Sequence, residues 1–129
     1  MGSERLGSWR VPAVPGSVPE LRRAVRAVIA DRGFEDVAVG LAVTEAVTNV
    51  VRHAYSGSVG SVTLSADAST EELVLIVADE GVGGRSFTLR ADPGLGLGLA
   101  LIRELCSSVR IDPTNAGTTV TMRFRQAES

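Results

Sequence analysis

The spacing of apolar positions along the 129-residue chain predicts alternating helices and strands. The pattern favours α-helices over residues 17–31, 35–54 and 97–107, where apolar positions gather on one side at the helical period. It favours strands where apolar and polar residues alternate or where a short apolar run is bounded by turn residues. The predicted strands are residues 8–12, 61–68, 72–78, 109–112 and 118–125.

This βααββαββ order predicts an α/β protein of the α+β two-layer sandwich type. We expect a mixed, mainly antiparallel sheet with the helices on one face. Residues 1–129 are expected to form a single domain, with residues 1–7 as a loose tail. Ser17 is predicted to cap the first helix, because Glu20 follows three residues later, and Gly33 is predicted to end it.

Composition and charge exclude several classes of protein. The longest apolar run falls well short of the roughly 18 residues that a membrane span needs, and the N-terminus has no segment of signal-peptide type. Cys106 is the only cysteine, so it cannot form an internal disulfide, which is typical of a reducing cytoplasm. All 13 basic residues are arginines, scattered in a chain of net charge −2. We therefore expect a cytoplasmic protein without direct nucleic-acid or membrane partners.

The predicted second helix carries a polar stripe. Glu45, Asn49 and His53 are spaced four residues apart, on one side of an otherwise apolar helix. Asn49 could give a neutral oxygen to a magnesium ion, and Glu45, one turn earlier, could accept a proton from an attacking hydroxyl. The alternative is a solvent-facing stripe, although the apolar neighbours argue against it. A buried polar stripe must be satisfied by something, which favours a site.

A first glycine-containing turn, Asp79-Glu-Gly81-Val-Gly83, directly follows an apolar strand. A carboxylate at a strand end can accept a hydrogen bond from the exocyclic amine of adenine. The glycines would let the backbone approach the ring, where a side chain would collide. The alternative is an ordinary turn, since aspartate and glycine are common in turns.

A second glycine-rich segment, Asp92 to Gly98, is expected to be a loop that opens the third helix. Amide groups at a helix N-terminus attract anions, and successive glycines permit a backbone nest around phosphates. The spacing differs from the dinucleotide-binding fingerprint. A Walker P-loop would need a lysine, and this chain has none.

Together these segments resemble the Bergerat-type (GHKL) ATPases, and most closely the bacterial anti-sigma-factor serine/threonine kinases. The matching stretches are the N box from Glu45 to Ala54, the first glycine box from Asp79 to Gly83, the second glycine box from Gly94 to Ile102 and the terminal strand from Gly117 to Met122. The resemblance covers about residues 9–125 and implies the Bergerat-type ATP-binding fold.

The resemblance also implies ATP and Mg²⁺ as cofactors and gives roles to particular residues. Asn49 resembles the magnesium ligand, Glu45 the catalytic carboxylate and Asp79 the residue that recognises adenine. Thr118 resembles the threonine that supports the adenine end. The expected nucleotide-binding residues are Asn49, Asp79, Gly81, Gly83, Gly94, Leu95, Gly96, Leu97, Gly98 and Thr118.

The function implied is a protein serine/threonine kinase that phosphorylates an anti-sigma-factor antagonist of the STAS type. Through partner switching it would regulate a sigma factor, and the resemblance also implies a homodimer. The first helix, with arginines at 22, 23 and 26, resembles the surface that these kinases use to bind partners. The alternative is that the three arginines form a solvent-exposed face. One alternative is an ATP-binding regulatory module without catalysis. Another, a detached histidine-kinase domain, is disfavoured by the short segment 84–93 and the lack of an acceptor helix.

Overall fold

The computed structural model describes residues 2–55, 59–81 and 93–126, and of residues 93–97 it describes the backbone only. The helices are α1 (Ser17–Ile29), α2 (Asp36–Asn49) and α3 (Pro93–Leu105), and a π-helical turn (Val50–Ala54) continues α2. The strands are β1 (Glu4–Pro12), β2 (Ser61–Ala68), β3 (Glu72–Asp79), β4 (Ser108–Thr114) and β5 (Gly117–Arg125).

The five strands form one sheet in the order β1-β2-β3-β5-β4. The predicted two-layer α+β sandwich is confirmed, but the expected mixture of strand pairings is wrong for the described strands. All four of their pairings are antiparallel. The reason is the β4–β5 hairpin, which inserts β5 between β3 and β4. As a result β4 runs parallel to β3 without pairing with it.

One face of the sheet is buried under the helices. In β2 and β3 every second residue is buried and the residues between them are half-exposed. Residues of α1 and α2 join the buried strand residues in one apolar core, and α2 packs between α1 and α3. Each large aliphatic side chain buried there contributes roughly 1.5–3 kcal/mol to stability. The helix layer therefore holds α2 directly over the sheet.

Strand β1 begins earlier than the sequence indicated. The prediction of a loose tail through residue 7 was wrong, because Glu4 to Gly7 already pair with β2. The register shifts between Arg5 and Gly7, and the Arg5 guanidinium lies 2.8 Å from the Asp67 carboxylate. A polar segment can join a sheet edge because the backbone supplies the ladder bonds.

The start of α1 also differs from the prediction. Ser17 is the first helical residue and does not cap the helix, since Gly16 occupies the N-cap position without a side-chain bond. The Ser17 hydroxyl instead donates to the carbonyl oxygen of Pro12 at 2.6 Å. This local bond ties the helix to the end of β1 and competes with capping. The helix ends at Ile29, before the positive φ of 82° at Gly33.

Candidate functional site

Asn49 ends the α-helical part of α2 and is only 4% exposed. Its Nδ2 atom has no hydrogen-bond partner in the described part of the chain. A buried amide left without a partner is destabilising by about 1–3 kcal/mol, so such a group points to a ligand. Rotation of the amide exchanges its nitrogen and oxygen, so the same position can present an oxygen to a cation.

Gly98 of α3 lies against the polar stripe of α2. A β-carbon placed on Gly98 would lie 3.1 Å from Glu45 Oε2 and 3.6 Å from Asn49 Nδ2. Glu45 itself is half-buried. The packing of α3 on α2 therefore brings three predicted site residues together, and the lack of a side chain at Gly98 allows this close approach. A stripe facing bulk solvent is the wrong interpretation for Asn49.

The predicted single helix over residues 35–54 changes its hydrogen bonding after Asn49. Residues 50–54 form a π turn, which ends at Ala54, where the predicted helix ends. A π turn is wider than an α-helical turn, so the four-residue spacing no longer keeps His53 in register with Asn49. Such turns occur frequently at functional sites. No local pattern in the sequence predicts this π turn.

The π turn brings α2 to the first glycine segment. A β-carbon on Gly81 would overlap the carbonyl group of Ala54, so this close approach requires glycine. Asp79, the last residue of β3, is 7% exposed. Its Oδ1 atom accepts hydrogen bonds from the backbone N–H groups of Gly81 at 2.9 Å and Thr118 at 3.3 Å. These bonds fix the orientation of the carboxylate.

Thr118 lies beside Asp79 at the start of β5. The side chain is 1% exposed, and its Oγ1 atom has no hydrogen-bond partner within the described ranges. The preceding Gly117 has φ of 143°, and a β-carbon there would overlap the carbonyl group of Asp79. Sequence reasoning gave Gly117 no role, although its place after the Asn-Ala pair of a hairpin turn is a signal for such a backbone.

The remaining predicted residues belong to the glycine segments. Gly83 lies outside the described residues. Gly94, Leu95, Gly96 and Leu97 lie in the first turns of α3, which begins at Pro93, so the loop predicted through Gly98 is wrong for these positions. Proline is favoured at the first position of a helix, which explains the early start. Each glycine there lowers helix stability by about 1 kcal/mol relative to alanine.

Arg22 and Arg26 of α1 contact polar side chains of α2. Arg22 donates to the hydroxyl of Thr44 at 3.1 Å, and Arg26 lies 2.8 Å from the carboxylate of Asp36. On the adjoining surface of α2, Val37 and Leu41 are 63% and 44% exposed. The surface formed by α1 and α2 thus combines cationic and apolar groups and reaches to the residue next to Glu45.

Burial raises the pKa of the Cys106 thiol to about 12, and its half-buried side chain packs against the core. Across residues 2–55, 59–81 and 93–126, no three His, Cys, Asp or Glu side chains form a cluster that could hold a metal ion. No helix there has the length and apolar character needed to cross a membrane.

Comparison with solved structures supports this fold. The RsbU and RsbW domains of a Mycobacterium tuberculosis protein superpose with a TM-score of 0.72 at 23% identity, covering 95% of this chain and 33% of that one. The histidine kinase domain of a blue-light-activated kinase from Erythrobacter litoralis gives a TM-score of 0.59 at 20% identity. It covers 90% of this chain and 62% of that one.

Proteins of similar sequence indicate the family of this chain. The serine-protein kinase RsbW of Bacillus mycoides is 30% identical over 137 residues, covering 92% of this chain and 84% of the relative. RsbW of Bacillus cereus strain AH187 is 29% identical over 135 residues with the same coverage. The family model of the histidine kinase-like ATPase domain matches residues 11–124. The chain therefore belongs to the histidine kinase-like ATPase domain family.

Proposed function

We propose that this protein is an ATP-binding serine/threonine kinase of the anti-sigma-factor type. It phosphorylates an anti-sigma-factor antagonist and regulates a sigma factor by partner switching. The observation that carries the proposal is the buried amide nitrogen of Asn49, which has no hydrogen-bond partner among the described residues and lies one turn after Glu45 and near Gly98. The 30% identity to an RsbW kinase over most of the chain supports the same function.

The base would bind at the end of β3. The carboxylate of Asp79 is held by two backbone N–H groups and would accept a hydrogen bond from the adenine amine. The buried hydroxyl of Thr118 would supply a second polar contact. Gly81 and Gly83 would allow the ring to lie against the backbone. Hydrogen-bond donors and acceptors buried at such a site discriminate strongly between bases.

The phosphates would bind between α2 and α3. Asn49 would hold Mg²⁺, which neutralises charge on the phosphates and needs few protein ligands. Glu45 would accept the proton of the attacking serine or threonine hydroxyl. Backbone groups of residues 94–98 would contact the phosphates. Phosphoryl transfer depends mainly on positioning and charge neutralisation, which are the tasks these residues would share.

Protein partners would bind the surface of α1 and α2. Arg22 and Arg26 supply cationic groups there, and Val37 and Leu41 supply exposed apolar area. Interfaces are enriched in arginine and in apolar anchors, so the mixture suits an antagonist or a sigma factor. Contact of the antagonist with α2 would bring the acceptor hydroxyl of the antagonist towards Glu45. A homodimer and a cytoplasmic location are part of the same proposal.

The test is calorimetry of ATP binding with and without Mg²⁺, followed by transfer of radiolabelled phosphate to a cognate antagonist. We expect binding that Mg²⁺ strengthens, and label on a serine or threonine of the antagonist. Binding without transfer would favour the alternative of a regulatory ATP-binding module that acts by protein contact alone. Absence of ATP binding would overturn the proposed function.

A further inference from the structure

Tyr55 directly follows the π turn and is half-buried. Its hydroxyl donates to the carbonyl oxygen of Ser61 at 2.5 Å and accepts a hydrogen bond from the backbone N–H of Glu80 at 2.9 Å. Ser61 begins β2 and Glu80 follows β3. The hydroxyl oxygen of Tyr55 thus connects the end of the π turn to the start of β2 and to the residue after β3.

Glu80 is the middle residue of the turn from Asp79 to Gly81. The Gly81 end of this turn lies against the carbonyl group of Ala54, and the Asp79 end is hydrogen-bonded to Thr118. The bond from Tyr55 holds the backbone between these two ends. The turn that carries the base-reading carboxylate is therefore restrained along its whole length.

The side chain of Glu80 gives no comparable restraint. It lies 3.2 Å from Arg10, but both side chains are more than 60% exposed. Exposed ion pairs contribute little to stability because water screens them. This part of the turn is therefore fixed by the hydrogen bond from the backbone N–H of Glu80 to the hydroxyl of Tyr55.

Gly60 provides room for the tyrosine. A β-carbon on Gly60 would overlap the ring of Tyr55, whereas the backbone of Gly60 does not lie in the left-handed region. Alanine can therefore adopt this backbone, and its methyl group would act by displacing the ring. The hydrogen bond between the Tyr55 hydroxyl and Glu80 can therefore be broken in two independent ways, by removing the hydroxyl or by displacing the ring.

We propose that Tyr55 is a positioning residue for the nucleotide base. Its hydroxyl holds the turn from Asp79 to Gly81, so that the carboxylate is oriented before ATP arrives. This inference rests on the proposed function and extends it beyond the residues that contact the base. Without the hydroxyl, the nucleotide would have to order the turn on binding, and the affinity would fall.

The test is calorimetry of Tyr55→Phe with Mg-ATP and Mg-ADP. Loss of one ordering hydrogen bond should raise the Kd by about five-fold. The factor should be the same for both nucleotides, since both carry the base that the turn positions. The control is Ser17→Ala, which removes a hydroxyl bonded to the carbonyl of Pro12 and leaves the turn unaltered. It should bind both nucleotides as wild type does, whatever it loses in thermal stability.

Gly60→Ala gives an independent measurement with the hydroxyl still present. It should weaken ATP binding by a similar factor, and combining it with Tyr55→Phe should add little, because both release the same contact. Wild-type affinity in Tyr55→Phe, equal weakening in Ser17→Ala, or multiplied factors in the double variant would overturn this inference alone. A wild-type protein that does not bind ATP would overturn the proposed function as well.

Discussion

The carboxylate of Asp79 accepts a hydrogen bond from the backbone N–H of Thr118, 39 residues further along the chain, at 3.3 Å. The same oxygen accepts the N–H of Gly81 at 2.9 Å. Both donors are backbone groups, and Thr118 stands where β5 passes the end of β3. The pairing of these two strands therefore determines the direction in which the carboxylate points.

Replacement of this carboxylate tests base recognition. An asparagine at position 79 can still accept both backbone N–H bonds through its oxygen, so Asp79→Asn should keep the fold. Its amide would present a donor where adenine also presents one. We expect ATP affinity to fall by about ten-fold or more, measured by calorimetry, since hydrogen bonds to charged groups are the stronger ones.

The control for this experiment is Asp67→Asn. Asp67 is also on the sheet, but its carboxylate lies 2.8 Å from Arg5 at the β1 edge, away from the first glycine segment. It should bind ATP with wild-type affinity. Equal ATP affinity in Asp79→Asn and Asp67→Asn would rule out Asp79 as the residue that recognises the base.

The buried amide of Asn49 leads to a prediction about stability as well as binding. Asn49→Ala removes a buried nitrogen that has no partner in the described part of the chain. Relief of the unsatisfied nitrogen and loss of the packing of the side chain oppose each other, so the free energy of unfolding without nucleotide should change by less than about 1 kcal/mol. Calorimetry should find that Mg²⁺ no longer strengthens ATP binding by the variant.

A buried apolar residue supplies the comparison. Leu21 of α1 is 1% exposed, and Leu21→Ala should lower the free energy of unfolding by about 2–5 kcal/mol. Its ATP binding should keep the dependence on Mg²⁺ under conditions where it is folded. If Asn49→Ala were destabilised as strongly as Leu21→Ala, the amide would have a structural partner and its role as a ligand would be refuted.

The sequence was informative where a local pattern has a single physical meaning. The alternation of apolar and polar residues predicted β2 at residues 61–68, and the structure confirms it. The apolar neighbours of Asn49 predicted that this residue is buried, which is also confirmed. In each case the residue type and its immediate neighbours carry the information.

The sequence was less informative where distant segments decide the structure. The early start of β1 depends on pairing with β2, some sixty residues away, and the antiparallel sheet depends on where the β4–β5 hairpin inserts. The hydroxyl of Tyr55 bonds to the backbone of Ser61 and Glu80, which no periodicity reveals. Tertiary contacts override local preference at such places.

Gly98 allows stability and function to be separated. Alanine is favoured over glycine inside a helix by about 1 kcal/mol, and the Glu45 carboxylate is at the end of a flexible side chain that can move aside, so Gly98→Ala should raise the melting temperature or leave it unchanged. Its methyl group would lie 3.1 Å from Glu45 Oε2 and within 4 Å of the Asn49 amide. Mg-ATP binding and phosphoryl transfer should therefore decline in a protein that is at least as stable.

Gly40→Ala is the matched control, since Gly40 is a helical glycine of α2 whose β-carbon would meet the side chains of Arg22 and Arg26. It should keep wild-type ATP affinity, measured by calorimetry beside Gly98→Ala. Unimpaired ATP binding and transfer by Gly98→Ala would show that the space above Glu45 and Asn49 is not used by the nucleotide.

Glu45→Gln tests the chemical step separately from binding. Glutamine preserves the size of the side chain and its place one turn before Asn49, so ATP affinity should stay close to that of wild type. It cannot accept the proton of the attacking hydroxyl, and transfer to the antagonist should slow by about 10²- to 10⁴-fold. The measurements are calorimetry and single-turnover transfer of radiolabelled phosphate.

Glu104→Gln is the control for Glu45→Gln, because Glu104 is an exposed carboxylate near the end of α3. Its transfer rate should equal that of wild type, which excludes a general effect of removing one negative charge. A Glu45→Gln variant that transfers phosphate as fast as Glu104→Gln would remove the general base from the proposal. ATP affinity lost in Glu45→Gln would instead assign the carboxylate to nucleotide binding.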